Sequence, residues 1–225
     1  MRVFGLALCL SLLSFGAARA DITVTTEEYP PFNTMVNGQI GGLSTDVVKA
    51  MFQKAGVPYT LQLLPWERAY AMALGTKDTC VYSTSVTDAR RPLFEWVGPL
   101  ANNDWELFGR ADRTYAIKTL ADAKAYTIGG YRGDATAAYL ESVGLKVDEA
   151  PRDALNLPKL LNNRIDLWAT GSAVGPYIAK QAGSTAIKPV LDFKQLQLAL
   201  ACNKGTDPAV LAKLRTALAE VKPAH

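Results

Sequence analysis

The chain has 225 residues, 49% of them hydrophobic and 20% charged, with a formal net charge of +3 and a mean hydropathy of +0.04. That composition excludes a disordered or low-complexity chain and leaves room for one large domain or two small ones, each with its own core. Charges of both signs are interspersed, which gives no footprint for a nucleic-acid partner, and the single histidine, His225, argues against histidine-based catalysis or a histidine-rich metal site.

Residues 1–20 read as a cleavable signal peptide. Arg2 supplies a positive start, Val3 to Phe15 is nearly all apolar, and Ala18-Arg19-Ala20 gives the small-x-small cleavage pattern. The mature chain is therefore expected to begin at Asp21. No later stretch has the roughly 18 consecutive apolar residues of a membrane span, and Leu8 is too bulky to make Cys9 a lipidation site. Export makes a disulfide the default reading for the two mature cysteines, Cys80 and Cys202. Two buried free thiols acting as small hydrophobes are the alternative.

The mature chain alternates strands and helices. Ile22 to Thr25 opens as a strand and runs into Glu28-Tyr29-Pro30-Pro31-Phe32, whose prolines cannot continue a ladder. Asn37-Gly38 marks a turn. Ser44 is placed to cap a helix with Val47, Val48, Met51 and Ala55 on one face and Gly56 as its stop. A strand from Tyr59 to Leu64, a helix from Trp66 to Leu74 and a strand from Cys80 to Ser85 complete β-α-β-α-β, the pattern of a helix-covered parallel sheet. The pattern restarts after Trp96 to Trp105. Tyr126 to Ile128 is expected as a strand broken at Gly129-Gly130, followed by helices over 135–143 and 154–162, a strand over 165–169 and a helix over 174–182. A strand near Leu196 to Cys202 and a final helix, with Asp207 as cap and Pro208 in its first turn, close the chain.

Tyr29-Pro30-Pro31-Phe32, Gly42 to Val48, Pro65-Trp66, Ser85 to Arg91, Gly129 to Gly133 and Ala201 to Gly205 occur in an order that resembles the family 3 extracellular solute-binding proteins. These are polar amino-acid receptors for ABC importers, and the resemblance covers essentially the whole mature chain. It implies an α/β, two-lobed type II periplasmic-binding-protein fold with a hinged ligand cleft. Lobe one would be 21–100 plus 192–225, and lobe two 101–191.

The resemblance also implies site residues. Arg90 matches the arginine that clamps a ligand carboxylate, for which a planar guanidinium is a bidentate partner. Ser85 matches a head-group contact, while Tyr29 and Trp66 match the aromatic walls of the cleft. Phe32 reads better as core. Arg68 could reach solvent or turn toward an anionic ligand. In the second lobe, Gly129 to Asp134 matches the corner that presents a helix N-terminus to the carboxylate. Asp134 stands there in place of the usual hydroxyl residue and would cap that helix itself, and Tyr131 and Arg132 are candidates for selectivity. The aspartate that usually holds the ligand ammonium is replaced by Gly171, which leaves Glu27, Glu28 or Asp134 to take its place, or a ligand that is not an ordinary α-amino acid.

The expected function is capture of a small polar solute, an amino acid or related carboxylate, by hinge closure in the periplasm. The expected partners are that ligand and a membrane ABC permease; the protein is expected to act as a monomer without metal or cofactor. Two other classes are a dehydratase-type enzyme using Glu28 or Asp134 on the same scaffold, and a ligand-sensing module for a separate signalling partner.

Overall fold

The computed structural model describes residues 21–221. The expected signal peptide and His225 lie outside the described residues.

The chain opens with β1 (Ile22–Thr26), a small hairpin of β2 (Thr34–Val36) and β3 (Gln39–Gly41), α1 (Leu43–Ala55), β4 (Tyr59–Leu63), α2 (Trp66–Gly75), β5 (Thr79–Ser85) and β6 (Glu95–Asn102). It then builds β7 (Trp105–Arg110), β8 (Ile128–Tyr131), α3 (Ala135–Ser142), β9 (Val147–Ala150), α4 (Asn156–Leu161), β10 (Leu167–Gly171), α5 (Val174–Gln181) and β11 (Ile187–Lys194). Finally it returns through β12 (Gln197–Cys202) to α6 (Pro208–Ala219). The strands form two five-stranded sheets, ordered β4-β1-β5-β12-β6 and β11-β7-β10-β8-β9.

Each sheet anchors one α/β lobe. In the first, β1 pairs in parallel with β4 and β5, while β12 and β6 add antiparallel strands. One face buries Val48, Met51 and Phe52 of α1 and Leu211 and Leu214 of α6 against Ile22, Val24, Tyr82 and Leu200. The other face is covered by α2, whose Ala69 and Ala73 allow close approach to Val81 and Ala201. In the second lobe, Leu140 of α3 packs on Leu107, Ile128 and Leu167, while α4 and α5 cover Trp168 from the opposite side. Full burial of such a side chain is worth about 1.5–3 kcal/mol, so each lobe has its own apolar driving force.

The chain crosses between sheets twice, at 103–104 and 195–196. β11 stays paired with β7 through Asp192 opposite Glu106 and Lys194 opposite Trp105, so the return crossing comes later than residue 192. The two crossings are tied to each other: Asn103 N donates to Leu196 O at 2.9 Å, and Leu196 N to Asp104 Oδ1 at 3.1 Å. A paired double connection of this kind is the geometry of a hinge.

Some elements differ from the sequence expectation. Ser44 does not cap α1; it is buried in the first turn, and the carbonyls of Pro31 and Phe32 accept from the N–H groups of Leu43, Ser44 and Thr45. That exchange ties the Tyr29–Phe32 loop to the helix start. Gly129 and Gly130 do not break a strand. They are part of β8, paired with Asp148 and Glu149, and their missing side chains let Ile165, Asn156 and Val147 pack against it. The strand expected over 165–169 is β10, two residues later. By contrast, Asp207 caps α6 as expected, accepting from Ala209 N at 2.8 Å. Cys80 and Cys202 face each other in β5 and β12 and are disulfide-bonded. No helix among the described residues is long and apolar enough to cross a membrane.

Candidate functional site

The strands β1, β4 and β5 run parallel, and the residues that follow their C-terminal ends meet the second lobe, which is where open α/β sheets place their ligands. Glu27 and Tyr29 follow β1, Trp66 and Tyr70 belong to α2 after β4, and Arg90 follows β5. From the other lobe come Tyr131, Gly133 and Asp134, between β8 and α3, and Asp153, just before α4. Asn103 sits in the first crossing.

These residues form a closed polar strip. The Gly133 carbonyl accepts from two side chains of the opposite lobe, Trp66 Nε1 at 2.8 Å and Arg90 Nη2 at 3.0 Å. Tyr131 donates its hydroxyl to Glu27 Oε1 at 2.9 Å, and Asn103 Nδ2 donates to the Tyr29 hydroxyl at 3.0 Å. Gly133 adopts φ +70°, which favours glycine, and a Cβ there would press on Glu67 Cγ at 3.2 Å and Trp66 Cδ1 at 3.3 Å. The Arg90 guanidinium lies over two rings, 5.1 Å from Trp66 and 4.9 Å from Tyr70. Stacking of this kind helps to hold a buried cation.

Of the residues singled out from sequence, Arg90, Ser85, Tyr29, Trp66, Tyr131 and Asp134 are all buried, and all except Ser85 make the contacts just described or flank Gly133. Phe32 is buried and stacked on Tyr29 at 6.0 Å, as a core residue. Three others make none of these contacts, although Glu28 lines a cavity beside the strip. Arg68 and Arg132 are exposed, and exposed Glu28 holds the hairpin, accepting from Thr34 Oγ1 and from Met35 N. Their long side chains keep their charge in water, which costs less than turning it inward.

Sequence reasoning missed Asp153, Asn103, Ser83 and Tyr70. Asp153 is buried and accepts from Trp168 Nε1 at 2.7 Å and from Thr170 Oγ1. Ser83 adopts φ +56° where the β5–β12 register shifts, and its buried hydroxyl has no partner. An aspartate opening a helix after a strand was a signal for Asp153. Nothing local marked Asn103, because its place depends on the crossing.

The strip crowds acidic groups. Burial pushes Glu27 well above the usual carboxylate range, and Asp134 reinforces this while Tyr131 opposes it. Asp134 is raised by burial against the opposing pull of Arg90, and burial raises Asp153 to about 7 despite the Thr170 and Trp168 hydrogen bonds. A carboxyl raised in the folded state holds its proton to higher pH than in the unfolded chain, so unfolding releases protons between the two values. Stability is therefore expected to be greatest in mild acid and to fall as pH rises through about 7. Urea midpoints at pH 5 and pH 8 check this; Asp153→Asn should flatten the slope, and a midpoint that climbs with pH would contradict it.

Two cavities border the strip. One of about 690 Å³ is lined by Tyr29, Pro30, Met35, Asp153, Leu157 and Tyr177. The other, about 420 Å³, is lined by Arg90, Trp105, Asp134, Tyr139 and Lys194 among others. The described residues contain no cluster of metal-ligating type.

Two lobes on a double crossing, meeting through a strip of aromatic and charged side chains, define a bilobed protein of the periplasmic-binding class. The chain belongs to the bacterial extracellular solute-binding proteins, family 3, whose model matches residues 22–224. No curated protein sequence matches it. Among solved structures, it is similar to an ancestral arginine-binding protein bound to arginine, at 24% identity and a TM-score of 0.80 over 90% of this chain and 92% of that one. The arginine-, lysine-, histidine-binding protein ArtJ of Geobacillus stearothermophilus aligns at 20% identity and a TM-score of 0.79 over 89% of each chain. A histidine kinase sensor domain with similarity to periplasmic binding proteins aligns at 21% identity and a TM-score of 0.82 over 89% of each. At these identities the likeness carries the fold alone.

Proposed function

We propose that the protein is a periplasmic receptor that captures a small polar solute by hinge closure and delivers it to an ABC importer. Family membership supports the receptor class. The observation that carries the mechanism is the Gly133 carbonyl, which one lobe presents to Trp66 and Arg90 of the other. Those bonds exist only when the lobes are together, so a solute that fits between them shifts the equilibrium by its differential contact with the closed form. The named relatives that bind arginine, lysine or histidine make nitrogen-rich solutes of amino-acid size the first candidates.

The test is a thermal-shift screen on protein refolded to strip carried-over ligand, against amino acids, dicarboxylates and polyamines. A solute at 100 times its dissociation constant adds about 2.7 kcal/mol, which in a chain of this size moves the midpoint by roughly 5–10 °C. No shift across the panel from a well-folded baseline would remove the reading. The sensor-domain neighbour motivates a second assay for the partner, pull-down from membranes with and without the solute. Recovery of a permease supports transport, and recovery of a kinase supports signalling instead.

A further inference from the structure

We infer that the closed cleft selects a cation that lacks a carboxylate, of the amine or guanidinium class, held by Glu27, Asp134 and Asp153 around the Asn103 amide. This rests on the receptor reading above and names its ligand class. Both devices with which such a cleft would grip an anion already have a partner inside the chain. Arg90 spends its Nη2 on the Gly133 carbonyl at 3.0 Å and its faces on Trp66 and Tyr70. The N-terminus of α3 is capped by Asp134, which accepts from Thr136 N at 3.1 Å and places a negative charge where a carboxylate would sit.

Charged acceptors exceed charged donors along the strip. Carboxylates outnumber the guanidinium three to one, with Asp134 at 8% and Asp153 at 5% exposure. Asn103, 2% exposed, gives its amide N–H to Tyr29 and leaves Oδ1 without a partner. That oxygen also occupies the space beside Gly171: a Cβ there would lie 2.0 Å from Asn103 Oδ1, so no side chain fits at 171 while the amide is there. A buried acceptor without a donor and three carboxyls that share a single guanidinium are both costly. A carboxylate ligand would add a further anion and bring no relief. An ammonium or guanidinium brings charge and donors together; without one, protons serve the same need, in line with the upward shift of all three carboxyls.

The experiment is titration calorimetry on the refolded protein with two matched pairs, agmatine against arginine and cadaverine against lysine, each differing only by the carboxylate. Within at least one pair the decarboxylated member should bind at least about tenfold tighter. Glu27→Gln and Asp153→Asn should each weaken it by about tenfold or more, the loss of one charge-assisted contact. Asp134→Ser keeps a cap on α3 but removes the charge, and should narrow the gap within each pair. If arginine and lysine bind and neither decarboxylated partner binds tighter, the inference fails while the receptor reading stands. If an acidic or neutral amino acid from the screen binds and none of these four does, it fails in the same way. If no solute of either experiment binds, both fall together.

Discussion

Refolding under reducing conditions, with Cys80 and Cys202 as free thiols, is expected to lower the unfolding free energy by about 4 kcal/mol. The bridge joins residues 122 apart, so the closed loop contains β6, the entire second lobe and nearly all of β5 and β12. Loops of that length carry the largest entropic effect on the unfolded chain, about 4.7 kcal/mol for 100 residues in the simple model. The folded state should change little. Both sulfurs are fully buried beside Val24, Val97 and Leu200, and a thiol packs there as a small hydrophobe. The effect therefore lies in the unfolded state, and the midpoint should drop by on the order of 10 °C. Urea denaturation of oxidised and reduced protein checks it, with the reduced sample unfolded first because the bridge is shielded from reagent. Equal midpoints would show that the β5–β12 ladder alone holds the two parts of the first lobe together. Cys80→Ser with Cys202→Ser should lose more than reduction does, since two hydroxyls would be buried among apolar side chains.

The elements that local chemistry specifies were legible in the sequence. Gly56 ends α1 in the left-handed conformation, Asp207-Pro208 starts α6, and the apolar face of α1 packs where its periodicity places it. β9 and β11 were not legible. Val147–Ala150 exposes two acidic residues, and β11 carries Pro189 at a bulge beside β7, so neither has the apolar alternation of a half-buried strand. Both are edge strands, held by a neighbour rather than by their own pattern. The site divides along the same line. Tyr29, Trp66, Arg90 and Asp134 stood within recognisable local motifs, whereas Asn103 and Asp153 matter through what they meet. The glycine at 171 looked in sequence like the loss of a ligand contact; in space it makes room for the Asn103 amide. Arg90 shows the converse limit. Its motif suggested a partner outside the protein, and its neighbours show a guanidinium that already gives one N–H to the protein and lies over two of its rings.

Arg90→Ala is accordingly expected to act on closure. The side chain contributes a charge-assisted hydrogen bond across the strip, worth about 1.5–3 kcal/mol, and is the cation that offsets buried Asp134 when the lobes meet. Its stacking on Trp66 and Tyr70 lies within the first lobe, so that part pre-orders the guanidinium and does not itself bridge the lobes. Removing Arg90 should shift the balance toward the open form by about a hundredfold. X-ray scattering would read this as a larger radius of gyration, and dyes on α1 and α5 as lower transfer efficiency. Arg90→Lys should fall between, because an ammonium keeps the charge but not the planar fork held between two rings. The double variant with Asp134→Asn separates the two contributions. If the ion attraction matters, adding Asp134→Asn to Arg90→Ala should recover part of the closure, with a coupling of about 1 kcal/mol or more. If instead Arg90→Ala scatters like the parent protein, closure rests on Trp66 and Tyr131, and the arginine is free to serve a ligand.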